Sequence, residues 1–172
     1  MNKKELDRLF SITYEELKRL ASGVKNGSAG ATYNPTALVN EAYVKLIQSS
    51  TIKVQSKKHF MRLAAKAMRQ ILIDAARRHQ SLKRGGNQIF VTYNEGVNRR
   101  ETRIEELLSL DSALNRLERL HPRQAKLVEY RFFGGYNLAE TVELLEVSES
   151  TVLRDWKMAK AWLSVHLNNF ND

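Results

Sequence analysis

The chain has 172 residues, no cysteine and a formal net charge of +9. A hydrophobic content of 42% suffices for one core of ordinary size or two small ones, so a folded chain and not a disordered one is the expectation. The missing thiols exclude disulfides, thiolate catalysis and cysteine-ligated zinc, and the positive balance asks for an anionic partner, nucleic acid first and an acidic membrane surface second.

No apolar run approaches the length of a membrane span, and the opening "MNKKELDRLF" lacks the apolar core of a signal peptide. A soluble, cytoplasmic protein with no membrane partner is expected. Apolar residues recur at helical spacing in nearly every long segment, punctuated by Pro35 and Pro122, so the expected class is all-α. Leu6, Leu9, Phe10, Leu17 and Leu20 mark a first helix, closed by the three glycines of "SGVKNGSAG". A second follows Pro35, with Leu38, Ala42 and Leu46 in register and Val39 and Tyr43 beside them. A third covers about residues 57–79 and stops before "KRGG", where Gly85 or Gly86 can adopt the left-handed conformation of a helix end. Over residues 87–103 the period fails; "NQIFVTYNEGVNRR" holds a short β-like run without a partner run and reads as a linker. Helical pattern resumes at Ile104 and is broken at "LHPRQ" and "FFGGYN". Two small helical domains, residues 1–86 and 104–172, follow from this, because so long a linker inside one compact domain would be unusual.

On the third helix Lys58, Arg62, Lys66, Arg69 and Arg77 share one side, with Phe60, Ala64, Ala67, Ile71 and Ala75 opposite. Asp74 is the only acid between Ser56 and Gly86. A merely solvated face favours compensating acids at i,i+4; one sign sustained over six turns points instead to phosphate contact.

Near the C-terminus, "LAETVELLEVSESTVLRDWKMAKAWL" places a short helix carrying Leu138, Val142 and Leu145, a turn at Glu146 and Val147, and a second helix: a helix-turn-helix pattern. Ser148 is the expected N-cap, accepting from the backbone N–H of Ser150 or Thr151. Val152, Trp156, Ala159 and Leu163 form the apolar side. Ser150, Thr151, Arg154, Asp155 and Lys157 are then the candidates for base edges or phosphates, Arg154 being able to pair with guanine.

The motifs "PTALVNEAY", "AMRQILIDAARR", "KRGG", "VEYRFFGG" and "TVLRDWKMAKAWL", in that order, closely resemble the extracytoplasmic-function (ECF) type of bacterial sigma factor, the promoter-recognising subunits of RNA polymerase. The resemblance covers almost the whole chain. It implies an alternative sigma factor: an N-terminal region-two domain that binds the polymerase clamp and opens the minus-ten element, a linker along the RNA path, and a C-terminal region-four domain that reads the minus-thirty-five element and meets the polymerase flap. It places Leu38, Val39, Asn40 and Glu41 on the clamp-facing helix. Residues 49–58 and the start of the third helix would hold an unstacked minus-ten base, with His59 and Phe60 as candidate walls and Lys58, Arg62, Lys66, Arg69, Gln70 and Arg77 along the strand.

Three departures from the family pattern stand out. The clamp-binding helix opens with "NPTA", without the usual acidic cluster, which suggests a branch lacking it; Leu63 replaces a common tryptophan; and Glu146 stands at the turn position usually given to glycine. Phosphate could restore the missing charge, with Thr36 in the first turn of that helix and Thr51, beside Ser49 and Ser50, as candidate acceptors for a Ser/Thr kinase. An anti-sigma factor is the other expected regulator. The four histidines, His59, His79, His121 and His166, lack ligand spacing, so no catalytic residue, metal or cofactor is expected, and promoter DNA and core polymerase are the expected partners. The rivals are a free-standing helix-turn-helix regulator of duplex DNA and a basic helical adaptor on RNA or anionic membrane.

Overall fold

The computed structural model describes residues 3–23, 34–49, 53–85 and 95–167, with side chains for 4–22, 34–49, 53–82 and 104–167. Seven α-helices and one π-helical turn make up the described residues, which contain no strand. They are α1 (Lys3–Gly23), α2 (Pro35–Gln48), α3 (Lys57–Gly85), α4 (Glu95–Leu120), α5 (Pro122–Val128), the π turn (Glu129–Phe133), α6 (Leu138–Leu145) and α7 (Glu149–His166). None of the described helices is long and apolar enough to cross a membrane.

Helices α1 and α2 pack on each other and on one flank of α3. The apolar register supplies the contact: Leu17 and Leu20 of α1, Leu38, Val39, Ala42 and Leu46 of α2, and Phe60, Ala64, Ala67 and Ile71 of α3 are buried together. Leu6, Leu9 and Phe10 close the edge of this core, and Phe10 stacks on Tyr43 at 4.0 Å. The start of α2 is fixed by Asn34, whose Oδ1 accepts from the Ala37 N–H at 2.7 Å, with Pro35 in the first turn where no backbone donor is needed.

Two boundaries differ from the pattern-based reading. Helix α3 continues through Gly85 instead of stopping near residue 79, and α4 begins at Glu95, inside the stretch expected to be a linker. Segments such as "SLKRG" and "EGVNRRETR" carry no apolar period, yet their Leu, Lys, Arg and Glu residues are good helix formers, and propensity extends a helix where packing does not. The β-like run at residues 89–93 lies outside the described residues.

The second half is built on α4, α5, the π turn, α6 and α7. Pro122 forces the break between α4 and α5, since the residue before proline is turned out of the helical region. The π turn ends at Gly134, whose N–H reaches back to the Glu129 carbonyl at 3.0 Å. A Cβ on Gly134 would lie 2.7 Å from both the Tyr130 carbonyl and the Tyr136 ring, so glycine is required there by close approach. Gly135 takes φ 70°, which only glycine adopts freely. This sharp exit swings Tyr136 against α3, where its hydroxyl donates to the Met61 carbonyl at 3.0 Å. The two halves share one contiguous apolar cluster, and Met61, Met68, Leu72, Ile73 and Ala76 of α3 are buried in addition to its expected apolar side.

Burial holds three tyrosines in the neutral form. Tyr130 is pushed up to about 12, by burial first, with Arg62 opposing and Glu129 adding. Tyr43 also rises to about 12, through burial and then its hydrogen bond to Asp7, and Tyr136 rises further, through burial and then Glu16 and Glu140. A folded-state pKa above the unfolded value of about 10 contributes stability that is complete below pH 10 and is lost as pH climbs through the folded value. Unfolding midpoints should therefore fall between about pH 10 and 12, and tyrosinate absorbance at native pH should lag that of the urea-unfolded chain. Superimposable titrations of folded and unfolded protein would refute this.

Candidate nucleic-acid interface

The helix-turn-helix forms as the sequence requires. Asn137 and Glu140 make a reciprocal capping box at the start of α6, their side chains bonding each other's backbone N–H at 2.9 and 2.8 Å. Ser148 caps α7, its Oγ accepting from the Thr151 N–H at 3.3 Å. Between the helices Glu146 sits in the left-handed region at φ 57°, ψ 41°. That conformation costs a non-glycine residue about 1 kcal/mol, and the two ion pairs Glu146 makes are exposed and worth little. Glu146→Gly should leave thermal stability unchanged or raise it by up to about 1 kcal/mol, read from denaturant midpoints; a clear loss would show that the carboxylate outweighs the strain.

On α7 the buried residues are Val152, Asp155, Ala159 and Leu163. Ser150, Arg154 and Lys157 are exposed and Thr151 half-exposed, forming one polar, cationic face. Asp155 does not join them. It is 4% exposed and paired with Arg123 of α5, with a contact to Arg123 Nε and a second bond from Nη2 at 3.3 Å. Asp155 therefore braces α7 on α5, and its candidacy for DNA contact is withdrawn. Trp156 is half-buried instead of central: it packs against the core edge with Arg131 4.3 Å above its ring and Lys160 at 6.0 Å. Burial also lowers the Arg131 pKa. Leu153 and Met158, both about half exposed, flank the polar face; Met158 shares the side of Ser150, Arg154 and Lys157 by its spacing, and Leu153 was not anticipated there.

Along α3 the expected basic stripe exists but is not open. Arg69 is 9% exposed, and its guanidinium reaches across to the second half. Nε and Nη2 donate to Asp111 Oδ1 at 2.9 and 2.6 Å, Nη1 to Glu129 Oε2 at 2.8 Å, and Nη2 to Asn115 Oδ1 at 3.0 Å. Burial opposes its charge, and the hydrogen bonds and charges of Glu129 and Asp111 outweigh this and hold its pKa above the ordinary value. Arg77 adds a 3.3 Å bond to Asp111 Oδ2. Lys58 and Arg62 face Glu146 at 3.7 and 3.5 Å. Arg69 is thus a brace between halves in this structure and not an accessible strand contact. Lys66 and Gln70 remain exposed beside a groove of about 490 Å³ between α3 and the second half.

The candidate base walls fare differently. Phe60 is fully buried in the core and cannot stack on a base. His59 is half-buried, and its Nδ1 accepts from the Gln55 N–H at 3.1 Å, just ahead of α3. On α2, Leu38 and Val39 are each 1% exposed, inside the core, so neither can touch a partner; this corrects their assignment to the clamp surface. Asn40 and Glu41 are exposed, and Val44 and Ile47 extend that outer face. Thr36 is half-buried in the first turn of α2, a turn without acids, and Ser49 follows the helix. Ser50 and Thr51 lie outside the described residues. Among the described residues no group of histidine, aspartate and glutamate side chains is placed to hold a metal ion.

The arrangement joins a capped helix-turn-helix with an exposed cationic face to a second basic helix. A family model described as ECF sigma factor matches residues 2–169. No curated protein and no solved structure matches significantly. With the match spanning nearly the whole chain and the helices falling into region-two and region-four halves, the protein belongs to the ECF sigma factor family, whose members serve transcription initiation.

Proposed function

We propose that this chain is an alternative sigma factor, acting in the cytoplasm with core RNA polymerase, that reads an upstream promoter element with α7 and helps open the minus-ten element with α3. The observation that carries this reading is the exposed Ser150, Arg154 and Lys157 face beside the Ser148 cap, on a chain whose family match runs from end to end. An α-helix presented in this way fits a major groove, and the helix start favours a phosphate. Lys58, Arg62, Lys66, Gln70 and Arg77 would follow the minus-ten strand. Asn40, Glu41, Val44 and Ile47 would form the clamp surface, in a branch that does without an acidic start to α2. The protein needs no reaction of its own, because the polymerase supplies the chemistry.

The test is transcription in vitro from a genomic library by core polymerase with and without the protein, followed by mapping of starts. New starts sharing upstream and minus-ten sequences are expected. Tight binding of duplex promoter without polymerase would favour a free-standing regulator instead. Within this reading, Arg154→Ala should cost roughly 1 to 3 kcal/mol of promoter binding and relax preference at one upstream position. A randomised-promoter assay with unchanged upstream preference would reject the role of Arg154.

A further inference from the structure

Two large apolar side chains stand on the outer face of α7, Leu153 at 48% and Met158 at 56% exposure. A single exposed leucine carries no message, but the placement of this pair does. At about 100° per residue, Leu153, Lys157, Ser150, Arg154 and Met158 follow one another round an arc of about 140°, the two apolar chains at its edges and both cations between them. The opposite side of α7 is already buried at Val152, Ala159 and Leu163, so the pair adds nothing to the core. No acid of α7 lies in the arc, and Asp155, next to Arg154 in sequence, is turned inward on Arg123.

The hydroxyls on this face are engaged elsewhere. Ser148 Oγ lies 3.1 Å from Ser150 Oγ and 2.9 Å from Thr151 Oγ1, so all three turn back toward the helix start. The following turn and a half is left to touch base edges: Leu153, Arg154, Lys157 and Met158.

Only one kind of surface matches that arc. An apolar protein groove could cover Leu153 and Met158 only by also desolvating Arg154 and Lys157 between them, which is costly without paired anions. The major groove interleaves both chemistries at close spacing: thymine sets a C5-methyl beside its O4 acceptor, and guanine offers N7 and O6. Donors in the middle and alkyl groups at the edges suit a guanine flanked by thymines. Five residues separate Leu153 from Met158, about 7.5 Å along the axis, or about two base-pair steps.

We infer that Leu153 and Met158 read thymine methyl groups on either side of the base contacted by Arg154, so that preference at the upstream element is partly apolar. The inference rests on α7 entering promoter DNA as proposed above, and it adds residues and a chemistry that the cationic contacts do not supply. Cytosine is disfavoured at both places, because its C5 bears only hydrogen and its amino group meets no carboxylate in the arc. Burying one methyl against each side chain strengthens binding about fourfold. Leu153, branched and stiffer, gives the sharper preference; Met158, unbranched and adaptable, gives the looser one.

The test uses the full-length protein with core polymerase, on duplexes carrying the upstream sequence shared by its mapped starts. Replacing one thymine at a time by deoxyuridine removes the methyl and keeps the base pair. Holoenzyme binding should weaken about fourfold at two positions roughly two base pairs apart, flanking the one at which Arg154→Ala relaxes preference. Leu153→Ala should abolish the methyl dependence at one of them and Met158→Ala at the other, each variant keeping the dependence it does not own. Both side chains are exposed, so thermal midpoints should be unchanged, and a loss of fold would lower binding to thymine and deoxyuridine duplexes alike. Methyl dependence that survives both substitutions, or an upstream element with no deoxyuridine-sensitive thymine, would overturn the inference and leave the sigma reading standing. Weaker association with core polymerase in either variant, with base preference unchanged, would assign the pair to a protein contact and overturn it too. If no start depends on the protein at all, the sigma reading fails and the inference with it.

Discussion

Replacing Phe133 by alanine should destabilise the protein by about 3–5 kcal/mol, the range for truncating a fully buried aromatic side chain. Phe133 is completely buried at the end of the π turn, packed edge-on against Phe132 at 5.0 Å and covered by the Arg69 guanidinium. Its neighbours cannot collapse into the space. Gly134 is closely packed by the Tyr130 carbonyl and the Tyr136 ring, and α3 is held from its other flank by α2. The cavity therefore persists, and the cost exceeds what lost burial alone predicts. Trp156→Ala removes a larger ring but a half-exposed one, and should cost only about 2 kcal/mol, less than its aromatic periodicity suggests. Urea denaturation followed by far-ultraviolet circular dichroism measures both. A Phe133→Ala loss below that of Trp156→Ala would mean that the π turn does not pack on α3 in solution.

The all-helical class, the break at Pro122 and the Ser148 cap were all legible, because each is a local consequence of residue type; the left-handed turn at Glu146 was signalled only by the family resemblance, which gives that position to glycine. The extra helical turns before Ile104 and after His79 were not, because apolar period was the signal followed and these turns are built on propensity. The errors at the candidate site have a shared cause. Asp155 lies three residues after Val152 and four before Ala159, both buried, so its position on α7 is a core position whatever its charge. Arg69 likewise has Ala65, Leu72 and Ile73 as helical neighbours, all buried. In both cases charge suggested solvent while spacing pointed inward, and spacing prevails when a partner exists. The partners are distant in sequence: Arg123 for Asp155, and Asp111 with Glu129 for Arg69. No pattern reading of one helix could supply them. Leu38 and Val39 show the converse, a surface role taken from family resemblance for residues whose register with Ala42 and Leu46 already placed them inside.

The brace at Arg69 should reveal itself through a non-additive set of substitutions. Arg69→Met keeps the apolar stem and removes the guanidinium, leaving two carboxylates buried about 10% exposed without their common partner. Breaking a buried pair in this way costs about 3–5 kcal/mol, because an uncompensated charge is left in a poorly solvated place. Asp111 retains Arg77 at 3.3 Å and Asn115 at 3.5 Å, so the loss should lie near the lower end, about 3 kcal/mol. Replacing the whole cluster, Arg69→Met with Asp111→Leu and Glu129→Met, removes the charges together with their desolvation cost and should recover most of the loss. Denaturant midpoints of the single and triple variants decide the matter. If Arg69→Met costs less than about 1 kcal/mol and the triple variant costs more, then the guanidinium is solvated and the acids contribute by themselves, which the distances of 2.6 to 2.9 Å around it do not allow. Recovery in the triple variant would place the specificity of closure, and not its strength, in the ions: the apolar contacts of Phe133 and Tyr136 hold the halves together, and Arg69 selects the face on which they meet.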